Sequence, residues 1–170
     1  LVEGGKYRMW GTCKAGSCYW ESTDGKTWSR PHLGMVEFEG SKENNLIPGL
    51  SGVLWIDPVA PAQERYKEVT NDNYDPKLFE AFKKRRPFSQ LALESWNDHV
   101  FALFGWTSPD GFNWKKIEEP LCVEMSDTAI VGYYDVTLKK YVLYTRSYMV
   151  PPRAEGYQAP QKRWHQFATR

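Results

Sequence analysis

At 170 residues the chain is long enough for one ordinary domain with a real hydrophobic core. A formal charge of +1, from 22 basic and 21 acidic residues, excludes a molecule drawn as a whole to nucleic acid or to an anionic membrane surface, and no apolar run approaches the length of a membrane span. The aromatic share is 15%, with 8 Trp and 10 Tyr, which suits either pleated sheets with half-buried faces or a cleft that offers flat apolar surfaces to a sugar.

The N-terminal Leu1-Val2-Glu3-Gly4-Gly5 is not a signal peptide and carries no initiator Met, so the chain reads as a mature product or a fragment. The compartment stays open, with secretion or the periplasm as candidates. Residues 7–11 and 18–21 read as two strands of a meander joined by a turn at Gly16. Cys13 and Cys18 lie across that turn, and either a disulfide or two free thiols fits the spacing, with Cys122 left over. Three His and no Cys-x-x-Cys form no zinc pattern, and no metal or other cofactor is expected.

Next comes Ser22-Thr23-Asp24-Gly25-Lys26-Thr27-Trp28, a phrase the chain repeats as Ser108-Pro109-Asp110-Gly111-Phe112-Asn113-Trp114. Each copy follows an aromatic-rich apolar run. Asp-Gly supplies the positive φ of a tight turn, so Asp24 and Asp110 are expected to be turn formers, with a short strand after each turn. A repeated strand–turn–strand phrase implies repeated structural units. Residues 31–45 read as a connector, 51–58 as a buried strand stopped at Pro58, and 65–69 as its neighbour.

Residues 71–100 break this rhythm. Asp75-Pro76 is an N-cap with proline at the first helical position, Leu78, Phe79 and Phe82 keep helical spacing, and Pro87 ends the run. A short helix near 75–86 follows. The basic run at 83–86 complements the helix dipole at its C-terminal end, or alternatively offers a polyanion site. Strands at 99–106 and 112–117 resume the beat, followed by 128–135, a turn at 137–140, and a strand at 141–146; the region 151–161 is loop-like.

The expected architecture is all-β, in a four-strand beat. Residues 1–47 end one unit, 48–122 form a full unit with the insertion at 71–100, and 123–170 begin the next. Units of this kind are blades of a β-propeller, and about two blades cannot close one. The expected partners are therefore the remaining blades, or another chain that supplies them.

Three stretches resemble the five-bladed propellers related to glycoside hydrolase families 32 and 43: residues 22–34 followed by 40–45, Ile56-Asp57-Pro58 through Lys67, and Ser126-Asp127-Thr128 through Arg146. The resemblance covers roughly residues 5–147 outside the insertion. The Asp-Gly hairpin is also similar, more distantly, to the sialidase Asp-box, which is one residue longer between Asp and Gly. The family resemblance implies a saccharide ligand and a funnel ringed by carboxylates. It places Asp57 at the transition-state-stabilising position, although Ile56 stands where the family has Arg, and Asp127 at the acid position. The remaining carboxylate would precede Leu1. Glycosidic cleavage needs an acid for the leaving oxygen and a carboxylate on the opposite face.

Beside these catalytic candidates, Trp55 and Trp106 are candidate stacking surfaces, and Arg146 a candidate ligand for a sugar hydroxyl or carboxylate. Each also has a plain structural reading. Asp57 and Asp127 would cap turns, the two Trp would pack a sheet, and Arg146 would end a strand. The expected function is glycoside hydrolase-like action on a saccharide. The alternative is a non-catalytic carbohydrate-binding or interaction propeller.

Overall fold

The computed structural model describes residues 1–49, 52–85, 100–123, 126, 130–147 and 167–168. The chain divides into two compact units, Leu1–Ser51 and Gly52–Arg170. Both are built mainly from antiparallel strands, as the aromatic-rich alternating runs imply.

The first unit is a four-stranded meander, β1 (Val2–Glu3), β2 (Lys6–Cys13), β3 (Gly16–Ser22) and β4 (Leu46–Ile47), paired in sequence order. The sequence suggested strands at 7–11, 18–21 and around Trp28, so β4 is an addition, and so is β1. It exists because Gly4 and Gly5, both with positive φ, let the chain turn back so that Val2 faces Tyr7. The core is small: Cys18, Tyr19, Leu46 and Ile47 are buried. Trp10 meets Tyr19 edge-on at 5.1 Å, and the Arg8 guanidinium lies 4.9 Å from the Trp10 ring while pairing with Glu3 at 2.6 Å. Register sets Gly11 opposite Cys18 and Cys13 opposite Gly16, and Cys13 and Cys18 are joined in a disulfide with their Cα atoms 6.0 Å apart. The strand expected around Trp28 reduces to a single bridge between Glu21 and Ser29.

The second unit holds another four-stranded meander in sequence order, β5 (Val53–Ile56), β6 (Tyr66–Tyr74), β7 (Val100–Ser108) and β8 (Lys115–Lys116). Strand β6 runs further than the sequence suggested, in unbroken register with β7 from Tyr66 opposite Ser108 to Tyr74 opposite Val100. Polar Asn71, Asp72 and Asn73 therefore lie within a strand. Register holds them there, because Thr70 and Tyr74 on one face and Leu103 on the other are buried.

Helix α1 (Pro76–Arg85) begins where expected. The Asp75 carboxylate accepts the Lys77 amide at 2.8 Å, and Pro76, lacking an N–H, occupies a position where none is needed. Phe79 and Phe82 pack with Tyr74, Val100, Ala102, Phe104 and Val123 on one face of the sheet. Tyr74 meets Phe82 and Phe104 edge-on at 6.0 and 5.9 Å. Arg85, in the basic run, pairs with Glu119 at 2.7 Å in an exposed position.

The opposite face is covered by a hairpin, β9 (Val131–Asp135) with β10 (Lys140–Tyr144). Val69, Leu103 and Ile130 are buried there, with Trp55, Cys122 and Leu143 against them. Gly132 makes this possible, since a Cβ at that position would lie 2.6 Å from the Trp55 ring. A final short pair joins β11 (Arg146–Ser147) to β12 (Phe167–Ala168). Among the described residues no helix is long and apolar enough to cross a membrane.

Candidate functional site

The repeated phrase folds into the same turn twice. In the first copy, Ser22 Oγ accepts the Gly25 amide at 2.9 Å, and Asp24 Oδ1 accepts the amides of Lys26 and Thr27 at 2.8 and 2.7 Å. In the second, Ser108 Oγ accepts Gly111 at 3.0 Å, and Asp110 Oδ1 accepts Phe112 and Asn113 at 2.8 and 2.8 Å. Gly25 and Gly111 sit at φ of 72° and 83°, which only glycine adopts freely. The amides of Thr27 and Lys26 and the Ser22 hydroxyl hold the Asp24 carboxyl down to about 2. Partial burial works to raise Asp110, but the amides of Asn113 and Phe112 outweigh it and its carboxyl is also lowered. Both aspartates are spent on backbone amides.

Asp57 closes strand β5 and is fully enclosed, with 0% of its side chain exposed. Its Oδ1 accepts the Val59 amide at 3.0 Å, and its Oδ2 accepts the Tyr141 hydroxyl at 2.7 Å from β10. Lys67 approaches Oδ2 to 3.9 Å and Glu64 to 3.4 Å, so the buried carboxylate has a cation beside it. The bond to Asp57, then burial, pushes the Tyr141 phenol up to about 12, since ionising it would set two anions in contact.

Next to this cluster a groove of about 220 Å3 lies between the β5–β8 sheet and the β9–β10 hairpin. Trp55, Lys67, Trp106, Ile117, Leu121 and Tyr141 are among the residues lining it. That is smaller than the ~300–1,000 Å3 of sites for drug-sized ligands, and matches a single ring better than an oligomer. The Trp55 indole N–H is buried without a hydrogen-bond partner among the described residues.

The other candidates from the sequence are distributed as follows. Trp55 reaches the groove, with Gly132 covering part of its ring, whereas register turns the Trp106 side chain to the other face of the sheet, where its indole donates to Thr70 Oγ1 at 2.9 Å. Arg146 lies in β11, its amide donating to Ser126 Oγ at 3.3 Å. Asp127 lies outside the described residues. Tyr141, Lys67 and Glu68 were not singled out from the sequence. Glu68 is buried and accepts the Gly52 amide. Glu68 follows Lys67 in a largely polar strand that also carries Asp72, so nothing in the sequence marked it, whereas the tyrosine that leads each second strand, at Tyr7, Tyr66 and Tyr141, was the signal for Tyr141.

A second hollow, of about 270 Å3, belongs to the first unit and is lined by Lys6, Glu21, Thr23 and Trp28 among others. Among the described residues no cluster of three or more His, Cys, Asp or Glu could hold a metal ion. Comparison with protein-family models, with curated proteins and with solved structures finds no match for this chain.

Proposed function

We propose that the chain is part of a β-propeller of the kind related to glycoside hydrolase families 32 and 43, and that it acts on a saccharide. The observation that carries this reading is the repeat: two four-stranded meanders, each with the same Ser-x-Asp-Gly turn after its third strand. The apolar groove beside Trp55 supports it, since sugars present flat apolar faces edged by hydroxyls. Hydrolysis in this reading requires an acid and a second carboxylate flanking the scissile bond. Asp57 is committed to Val59 and Tyr141, so its part is to hold the wall of the site. The acid role falls to Asp127.

One observation favours the second reading, saccharide binding without catalysis. The buried Trp55 indole N–H has no partner among the described residues, and a sugar hydroxyl entering the groove would supply one.

A panel of mono- and oligosaccharides, followed by tryptophan fluorescence and by release of reducing ends, tests both readings. Hydrolysis abolished by Asp127→Asn supports the first. Binding without turnover, lost in Trp55→Phe, supports the second. A protein that neither binds nor cleaves any member overturns both.

A further inference from the structure

The two copies of the Ser-x-Asp-Gly turn share a backbone and differ in what stands beside it. Register sets Tyr7 opposite Ser22 in one sheet and Tyr66 opposite Ser108 in the other. Lys6 therefore corresponds to Arg65, Glu21 to Thr107, Trp28 to Trp114 and Ser29 to Lys115. The bridge from Glu21 to Ser29 repeats the pairing of Thr107 with Lys115. The turn itself needs only its serine, aspartate and glycine. Nothing in that backbone calls for an ion pair and an open indole, and the first copy has both.

Trp28 is 37% exposed, whereas the Trp114 indole N–H is buried. Lys6 Nζ meets Glu21 Oε1 at 3.1 Å, and the pair lines the hollow of about 270 Å3 together with Trp28. Thr107 stands in place of Glu21, so the carboxylate is particular to the first copy. That carboxylate is held from behind. Its Oε2 accepts the Tyr19 hydroxyl at 3.4 Å, the Tyr19 oxygen accepts Arg8 Nε at 2.9 Å, and Arg8 pairs with Glu3 at 2.6 Å. A group fixed before binding has little freedom left to lose.

Charge then selects the ligand. Lys6 and Glu21 sum to zero, so an anion drawn to Lys6 meets the carboxylate and a cation drawn to Glu21 meets the ammonium. A ring hydroxyl both donates and accepts. Two neighbouring hydroxyls satisfy the pair at once, one accepting from the ammonium and the other donating to the carboxylate. Trp28 offers the flat apolar surface such a ring needs, and Thr23 a further hydroxyl. The volume admits one ring.

We propose that this hollow is a binding subsite for one neutral sugar ring, stacked on Trp28 with two neighbouring hydroxyls on Lys6 and Glu21. It is formed within Leu1–Ser51 alone and needs neither Trp55 nor Asp127. It therefore stands or falls apart from hydrolysis and apart from the groove of the second unit.

The test is proton–nitrogen correlation NMR of the full chain, titrated with the methyl glycosides of glucose, galactose, mannose and xylose. Glucuronate and glucosamine serve as the charged counterparts. The expected result is a saturable shift of the Trp28 indole N–H and of the amides of residues 21–29 with at least one neutral glycoside, and weaker shifts with both charged sugars. Trp28→Ala should weaken that binding about tenfold or more. Lys6→Met, at an exposed position outside the turn, should weaken it several-fold. Exchange of the Lys26 and Thr27 amides, which bond Asp24 Oδ1, reports whether the turn is intact in each variant. Where Trp28→Ala loosens the turn, Lys6→Met alone decides. Trp55→Phe should leave the titration unchanged.

No saturable shift at Trp28 with any neutral glycoside overturns the proposal. So do shifts confined to the groove beside Trp55, or binding lost in Trp55→Phe and kept in Trp28→Ala, either of which leaves the saccharide reading of that groove standing. A Trp28 response strongest with glucuronate or glucosamine also overturns it, because the ion pair would then not be selecting a neutral ring.

Discussion

The Tyr141 hydroxyl donates to Asp57 Oδ2 at 2.7 Å, joining residues 84 positions apart and tying the second hairpin to the end of β5. The acceptor is enclosed and has a second bond from Val59, so the contact is a charge-assisted hydrogen bond in a dry setting. Two neighbouring elements depend on it.

Tyr141→Phe keeps the ring and removes the donor, leaving one oxygen of a buried carboxylate without that partner. The expected loss is about 1–2 kcal/mol of stability at neutral pH, read from urea unfolding. Tyr66→Phe changes a strand of the other sheet, β6, and should leave the β9–β10 amides protected in hydrogen exchange.

Alkaline stability should reflect the same bond. The Tyr141 phenol sits at about 12 in the folded protein against an ordinary 10.0, so folding favours its protonated form. Its contribution is fully present below pH 10 and is lost as pH rises through about 12. An alkaline scan of unfolding should show this decline in the wild type and a shallower one in Tyr141→Phe. Equal slopes in the two proteins would falsify the linkage.

Acid should act on the first Asp-Gly turn in the opposite sense. Folding lowers the Asp24 carboxyl from 3.8 to about 2, so its contribution is present above pH 3.8 and disappears as pH falls through about 2. In Asp24→Asn this acid limb is missing, and the Lys26 and Thr27 amides exchange faster at neutral pH.

Gly132 is required by contact rather than by backbone angle, since the atoms nearest to a side chain there belong to the Trp55 ring. Gly132→Val should cost on the order of 1–3 kcal/mol through overpacking. Trp55→Leu in the same protein should recover part of that loss by withdrawing the ring. Additive losses in the double variant would show that the two side chains do not meet.

Thiol accounting separates the cysteines. Under non-reducing conditions Cys122 alone should react with an alkylating probe after unfolding, because Cys13 and Cys18 are bridged. The bridge spans a short loop, so its removal should cost less than the ~3 kcal/mol estimated for a 15-residue loop. Three reactive thiols in the untreated protein would contradict the bridge.

Local features were legible in the chain because they are governed by neighbouring residues. The turns at Asp24-Gly25 and Asp110-Gly111 follow from glycine's access to positive φ and from an aspartate's reach to amides two and three residues on. The start of α1 at Pro76 follows from the Asp75 cap in the same way. The course of β6 through Asn71, Asp72 and Asn73 was not legible, because pairing with β7 overrides the low strand preference of those residues.

For Asp57 the sequence allowed two readings, a catalytic carboxylate and a strand-end cap. The structure shows its bonds to Val59 and Tyr141, and the latter depends on which hairpin lands on which sheet. The choice between disulfide and free thiols at Cys13 and Cys18 likewise rested on strand register, a property of the pair of strands rather than of either alone.

By itself, then, the amino-acid order determined the β-rich class, the repeated turn and the start of α1 at Pro76, all of which come from interactions within a few residues. Only the tertiary structure decided that Trp55 lies on Gly132 and that Tyr141 seals Asp57. Those outcomes depend on contacts between residues tens of positions apart, which local preference does not encode.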